Sequence, residues 1–238
     1  MSTIHFIGGE KGGVGKSVFS RLFSQYCINN SIPYTGFDAD QSHGTLSRFY
    51  QDYTQAVNLD LFESTDKIME AALEQDQQIL VDLPAQSERF LDRWVDENGV
   101  LDMASEMGMS FVYWYIVDDG TDSANLLENF LTKYTDHLHC VVVKNKGCGS
   151  NFTKIDNVLE SAFNHTDKGV WVHQAVLPEL HSETMRKIDE LNFSFWGAEH
   201  LKDTKPHLSL MERQRTKVWL KKAYALFGNT LGGIIPNR

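Results

Sequence analysis

Gly8-Gly9-Glu10-Lys11-Gly12-Gly13-Val14-Gly15-Lys16-Ser17 separates a short apolar run, Ile4-His5-Phe6-Ile7, from an amphipathic segment that opens with Val18-Phe19-Ser20-Arg21-Leu22-Phe23. Strand, glycine-rich loop and helix, in that order, are the setting a phosphate-binding loop requires. Glycines let successive backbone N–H groups converge on one anion. The start of the helix adds its own free N–H groups and the positive end of its dipole. Gly12, Gly13, Val14, Gly15, Lys16, Ser17 and Val18 are therefore the expected phosphate-binding residues. Lys16 supplies a full charge for the β- and γ-phosphates, and the Ser17 hydroxyl suits Mg²⁺, a hard cation that prefers oxygen. The general pattern asks for glycine where Glu10 stands, but the variant Lys-Gly-Gly-x-Gly-Lys-Ser/Thr is met in full by Lys11 to Ser17.

The chain has 238 residues, 42% of them apolar and only five of them proline, which suits one α/β domain covering 1–238. It contains no apolar run of about 18 residues, and Met1-Ser2-Thr3 enters a strand at once without the features of a signal peptide. A formal charge of −10 argues against a protein that coats DNA constitutively, while leaving room for a local basic face. The three cysteines, Cys27, Cys140 and Cys148, are odd in number and far apart, so neither a disulfide framework nor a zinc site is expected. A reducing, cytoplasmic setting follows from that reading.

Further along, apolar strands alternate with helical patterns at least five times. The first helix is expected from Lys16 to about Asn29, before Asn30-Ser31-Ile32-Pro33 breaks it. Tyr34-Thr35-Gly36-Phe37 then leads into Asp38-Ala39-Asp40-Gln41, either an ordinary acidic turn or a pair of carboxylates within reach of a metal–phosphate centre. Residues 42–64 are ambiguous: Leu46, Phe49, Tyr50 and Tyr53 have helical spacing, and Asn58-Leu59-Asp60-Leu61-Phe62 reads as a short strand, with Ser64-Thr65-Asp66-Lys67 capping the next helix. Gln78-Ile79-Leu80-Val81-Asp82-Leu83-Pro84 is an apolar strand that ends in one carboxylate, the arrangement that delivers an acid towards magnesium or its waters. A helical stretch from Glu88 to Glu106, broken near Asn98-Gly99, carries Phe90, Leu91, Trp94 and Val95 as a packing stripe.

Ser110 to Val117 is continuously apolar, as in a sheet covered on both faces, and its helix runs from Ser123 to about Tyr134. His139-Cys140-Val141-Val142-Val143 leads to Asn145, which is either a turn residue or a donor and acceptor for an adenine edge. Helices over Phe152–Phe163, Glu183–Leu191 and about Leu208–Phe227, and a strand from Val170 to Leu177, complete the series. Such alternation predicts an α/β fold with a mostly parallel sheet and helices on both faces. Ligands in such sheets sit at the carboxyl ends of the strands, where the loop, Asp38, Asp40, Asp82 and Asn145 all fall.

Lys11 to Ser17, Asp38-Ala39-Asp40-Gln41 and Ile79 to Pro84 together resemble the deviant-Walker ParA/MinD family of P-loop ATPases, across nearly the whole chain. The resemblance implies Mg²⁺ and ATP as cofactors, weak ATPase activity, and a homodimer that forms around ATP. Lys11 would reach the phosphates bound by the other copy, Lys16 would hold the phosphates of its own, and Ser17 the magnesium. Asp40 would orient the attacking water, Asp38 would support the metal's water shell, and Asp82 would be the Walker B carboxylate. Asn145 and the backbone around Pro178-Glu179-Leu180 would recognise adenine. The sequence departs from the family at Gln41, where proline is common, and at Pro84-Ala85-Gln86, where glycine commonly stands third. The cysteine positions do not suit the branch that carries an iron–sulfur cluster. Thr230 to Pro236 is too rich in glycine for a membrane-anchoring amphipathic helix, so no stable membrane insertion is expected.

Between 202 and 222, Lys202, Lys205, Arg213, Arg215, Lys217, Lys221 and Lys222 oppose only Asp203 and Glu212. That excess suits nonspecific DNA binding and nucleoid association, or equally a solvated helix face. The leading expectation is a ParA-like ATPase that partitions or positions DNA, in plasmid segregation or transfer, with similarity to the MobD type encoded beside mobilisation genes. It would answer to an unidentified adaptor or activator protein. Positioning of a protein cargo, and ATP-dependent ligation of a small acid, are the alternatives.

Overall fold

The computed structural model describes residues 1–41, 44–94, 99–134, 138–165, 172–203 and 205–234, with 163–165 and 229–234 described as backbone only. Its strands are β1 (Thr3–Gly8), β2 (Tyr34–Asp38), β3 (Thr54–Ala56), β4 (Gln78–Asp82), β5 (Ser110–Val117), β6 (His139–Asn145) and β7 (Val172–Leu177). They form one seven-stranded sheet in the order β3-β2-β4-β1-β5-β6-β7. Every pairing is parallel. The helices are α1 (Lys16–Asn29), α2 (Thr45–Phe49), α3 (Phe62–Glu74), α4 (Glu88–Asp92), α5 (Val100–Glu106), α6 (Thr121–Tyr134), α7 (Thr153–His165), α8 (Ser182–Glu190), α9 (Phe195–His200) and α10 (Leu210–Ile234).

Two apolar cores explain why the central strands carry no polar alternation. On one face Phe6, Val81, Tyr113 and Val142 pack against α3, α4, α5, α6 and α7. On the other, Ile7, Leu80, Trp114 and Val141 pack against α1, α8, α9 and α10. A strand buried on both sides reads as a continuous apolar run. His5, wholly buried in β1, is a polar residue set among these apolar ones. Trp114 Nε1 donates to its Nδ1 at 3.1 Å, so the proton sits on Nε2, 2.7 Å from Gln78 Oε1. Burial lowers its pKa to about 4, and the ring stays neutral.

Arg21 ties α1 to the rest of its layer. Its guanidinium is buried, lies 3.7 Å from the Phe49 ring centre and 4.8 Å from that of Phe195, and pairs with Asp189 at 2.6 Å. A flat cation can stack on rings and still donate in its plane, which an ammonium cannot.

The expected boundaries hold within a few residues for α1, β4, β5 and α6. Four expectations change. The 46–53 pattern is one short helix followed by a 3₁₀ turn over Gln51–Tyr53, and an unforeseen edge strand, β3, follows at once. Asn58 to Leu61 is a turn and not a strand, and Phe62 already begins α3. Ser64 lies inside that helix, where its hydroxyl accepts from Asn58 N at 2.8 Å. A short helix, α9, also escapes the sequence pattern. Finally α10 runs through Gly232 and Gly233 to Ile234, well past Phe227, so glycine content alone does not end it. Val95, Asn98, Val170 and Pro236, all named above, lie outside the described residues.

Candidate functional site

The loop between β1 and α1 is built by glycine geometry. Gly9, Gly13 and Gly15 have φ of 134°, 77° and 97°, which side chains rarely adopt. At Gly9 a Cβ would also stand 2.7 Å from Ile116 O, so the backbone must pass close to β5. At Gly12 and Gly13 a Cβ would meet nothing within 4 Å, which leaves the crest of the loop open to a ligand. Gly15 precedes α1, and no side chain caps that helix. Its first N–H groups are therefore available to an anion. Lys16 is buried beneath the crest, with Nζ donating to Gly9 O and Lys11 O, both at 2.8 Å. Burial lowers its pKa, against the pull of Asp82, Glu10 and Asp40. Ser17 is half-buried at the start of the helix.

The acids meet this loop because β4 lies between β2 and β1. Asp38 stands beside Asp82, and Asp82 beside Ile7, in the strand register. Asp38 accepts from Asp40 N at 3.2 Å and Ser47 N at 2.8 Å. Asp82 is buried, and its Oδ1 accepts from Ser20 Oγ at 2.8 Å. Its Oδ2 is buried with no hydrogen-bond partner. Burial, with the charges of Asp38 and Asp40, pushes the Asp82 pKa up to about 7. A buried carboxylate oxygen without a donor is costly by itself, and it suits a hard cation or that cation's water. No group of three or more His, Cys, Asp or Glu among the described residues could hold a metal alone.

A cleft of about 670 Å³ opens beside these acids, between Asp40-Gln41 and Pro84, Gln86 and Arg89. Gln86 has φ 60°, the conformation glycine adopts most easily, at the position where the resembling family commonly has glycine. Glu10, the residue out of pattern in the loop, is half-buried with Oε1 unpartnered. Its pKa is raised by burial first and then by Glu88.

Lys11 lies on the other side of the loop. Its Nζ donates to Asp118 Oδ2 at 2.7 Å, just past the end of β5. Sequence reasoning passed over both Ser20 and Asp118. Asp118 follows an apolar strand just as Asp82 ends one, so the same signal was present. Ser20 and Ser24 are polar residues on the buried side of an amphipathic helix, also a legible signal.

Asn145 is buried at the end of β6. Its Nδ2 donates to Val14 O at 2.8 Å, and its Oδ1 accepts from Gly147 N at 2.9 Å. The amide thus clamps the loop, and a Cβ at Gly15 would lie 2.2 Å from it. Pro178, Glu179 and Leu180 follow β7, whose last residue, Leu177, is the register partner of Asn145. They line a separate pocket of about 290 Å³ against Arg215 and Trp219 of α10, and Trp219 Nε1 donates to Pro178 O at 2.7 Å. Asn145 does not line that pocket, so the two expected adenine segments are neighbours without sharing one cavity. In the basic region, Arg215, Lys217, Lys221 and Lys222 are exposed on α10, with Lys217 3.9 Å from Glu199. Arg213 instead donates to Leu208 O at 2.8 Å. No helix among the described residues is long and apolar enough to cross a membrane.

No family model and no curated protein sequence matches the chain. Solved structures do match it. The MinD cell division protein of Aquifex aeolicus superposes with a TM-score of 0.55 at 12% identity, over 93% of this chain and 96% of that one. MinD with Mg-ADP from Pyrococcus horikoshii gives 0.52 at 14% identity, over 98% of each. The Aquifex aeolicus MinC:MinD complex gives 0.52 at 12% identity, over 96% of each. The chain has the MinD-like P-loop fold. At these identities the likeness speaks for architecture and leaves the chemistry to the site itself.

Proposed function

We propose that this chain is a Mg-ATP-dependent ATPase of the ParA/MinD type that pairs with a second copy of itself around nucleotide. The observation that carries the reading is the convergence of one glycine-rich loop with Asp38, Asp40 and Asp82 at adjacent strand ends, one oxygen of Asp82 being buried and unpartnered. Loop N–H groups and Lys16 bind and orient the phosphates, Lys16 exchanging its two carbonyl acceptors for phosphate oxygens. Ser17 and Asp82, with Asp38 behind them, would hold Mg²⁺ and its waters. Bound Mg²⁺ supplies charge neutralisation of the phosphate oxygens. Asp40 borders the open cleft and is the group placed to orient a water for attack. Lys11 stands at the rim of the loop as the cation a second copy would need. Asn145 positions the loop; recognition of adenine would fall to the backbone at Pro178-Glu179-Leu180 and to the rim of the pocket there.

The cargo we propose is DNA, as in plasmid segregation or transfer. In support, Arg215, Lys217, Lys221 and Lys222 are all exposed on α10. Fold likeness to MinD, one example of which is solved with MinC, favours the second reading, a protein cargo and a protein adaptor.

The test is hydrolysis and sedimentation of the wild type and Lys11→Ala with Mg-ATP. We expect Lys11→Ala to lose hydrolysis and the ATP-induced dimer while its monomer still binds nucleotide. Normal hydrolysis by Lys11→Ala would end the paired model. ATP-dependent retention on nonspecific DNA that falls steeply with salt separates the two cargo readings; no retention at low salt leaves the protein cargo.

A further inference from the structure

Glu10 occupies the loop position where the general phosphate-loop pattern asks for glycine, and it adjoins a buried polar cluster. Its Oε1 is buried without a hydrogen-bond partner, and so are Ser87 Oγ, Tyr113 OH and Tyr115 OH. Ser87, Tyr113 and Tyr115 are each exposed by 3% or less. The Tyr113 hydroxyl faces Ser87, and that of Tyr115 faces the backbone of Glu10. The N–H groups of Glu88 and Ser87 are turned to the Glu10 carboxylate. Gly8 makes room for the cluster: a Cβ there would stand 1.9 Å from Tyr113 OH. Ser87 also lines the cleft that Asp40 borders, so the cluster joins the phosphate loop to one wall of that cleft. The charge of Glu88 opposes that of Glu10, and Lys16 offsets it. Lys133 pairs with Glu88 at 3.0 Å and engages the second acid elsewhere.

We propose that Glu10 is a positioning residue for hydrolysis: with nucleotide in the loop, its carboxylate closes on Ser87 and Glu88 and sets the wall of the cleft that Asp40 borders. The proposal rests on the ATPase reading above. A buried polar atom without a partner is costly. Four of them together persist where another state of the protein completes them. Nucleotide supplies that state, because Glu10 belongs to the loop that would take the phosphates and Ser87 belongs to the cleft wall. A carboxylate accepts from two N–H groups at once and ties them strongly. Glycine at position 10 has no side chain to make this link. Glu10 acts through the wall and touches neither phosphate nor metal.

Glu10→Gln keeps an acceptor oxygen at this place, and Glu10→Ala removes it. The full chain is assayed for ATP turnover and nucleotide affinity, and amide hydrogen exchange at Ser87 and Glu88 is followed with and without Mg-ATP. We expect Glu10→Ala to lower kcat roughly tenfold, with affinity for ATP within about twofold of wild type. Glu10→Gln should keep kcat within about threefold. Exchange at Ser87 and Glu88 should slow on nucleotide binding in the wild type and Glu10→Gln, and not in Glu10→Ala. A role in folding alone would lower thermal stability and leave both the kcat-against-affinity split and the slowing unmoved. Glu10→Ala with wild-type kcat, or with wild-type slowing of exchange, overturns the proposal, as does Glu10→Gln falling as far as Glu10→Ala. If Glu10→Ala fails to fold, Glu10→Gly is measured in its place. A wild type that binds Mg-ATP and never hydrolyses it overturns the ATPase reading and the link to hydrolysis, while exchange at Ser87 and Glu88 still decides whether Glu10 sets the wall. Wild-type hydrolysis with unmoved variants overturns this proposal only.

Discussion

The two halves of the sheet on either side of β1 treat the charges at their strand ends in opposite ways. On one side β2 and β4 bring Asp38, Asp40 and Asp82 together, and Asp82 is pushed up to about 7 by burial and by its two neighbours. On the other side, partial burial of Asp118 is outweighed by hydrogen bonds from Lys11 and Ser123, and its pKa is lowered. Asp119, held by Asn151 N and Ser150 N, is lowered too. Asn145 spends its amide on Val14 O and Gly147 N. The first half holds a buried carboxylate oxygen, Asp82 Oδ2, without a hydrogen-bond partner. The second half pairs the acids at its strand ends and braces the loop. The difference separates chemistry from scaffold: an unpartnered buried oxygen persists where a ligand completes it, and paired charge where the fold does.

The largest effect that would break this contrast comes from Asp82→Asn. A carboxyl whose pKa is raised in the folded state makes ionisation unfavourable there. The cost is fully present above about pH 7, shrinks as the pH falls through 7, and vanishes below the unfolded value of 3.8. We expect Asp82→Asn to raise the stability of the magnesium-free protein by about 4 kcal/mol at most well above pH 7, less whatever the new buried amide costs, and by little at pH 4. The same variant should lose Mg²⁺-dependent turnover. Denaturant titrations of both proteins at several pH values check the first part. A variant equally stable or weaker at pH 8 would mean that Asp82 is compensated in the fold.

Asp40→Ala comes next. Turnover should fall about a hundredfold or more, while the ATP-bound dimer forms and dissolves more slowly. Single-turnover kinetics with sedimentation would show it; a variant that binds no nucleotide would instead give Asp40 a binding role.

On the bracing side, Asn145→Ala removes the clamp on Val14 O. Stability should drop by about 1–2 kcal/mol, and nucleotide affinity should weaken with the Mg²⁺ requirement unchanged. A loss confined to adenine nucleotides, sparing inorganic triphosphate, would point back to recognition of the base.

The smallest expected effect is at Gln86. Glycine there relieves a left-handed backbone and adds freedom to the unfolded chain, and these effects nearly cancel. Gln86→Gly should change stability by no more than about 0.5 kcal/mol. A clear loss of hydrolysis in that variant would show that the glutamine side chain serves the cleft beyond lining it.

Much of this arrangement is legible in the residues, because it follows from local geometry. Glycines at 9, 13 and 15 need no tertiary argument to predict a tight anion loop, since their backbone angles are forbidding to other residues. The alternation of apolar runs with helical patterns announces a parallel sheet and places acids at strand ends. The stretch from 42 to 64 resisted reading for the opposite reason. Short elements at a sheet edge, α2 and β3, are set by what they pack on, and their periodicity is too brief to declare itself.

By itself, then, the sequence determined the loop, the strand-and-helix alternation and the chemical character of the strand ends. Only the tertiary structure decided who touches whom. Lys11 meets Asp118 across 107 residues, Ser20 meets Asp82 across 62, and Asn145 meets Val14 across 131. Those meetings depend on strand order, which inserts β4 between β2 and β1 and sets β5 on the far side. Strand order comes from the packing of two helical layers on one sheet, a sum of many weak contacts that no short stretch of residues encodes.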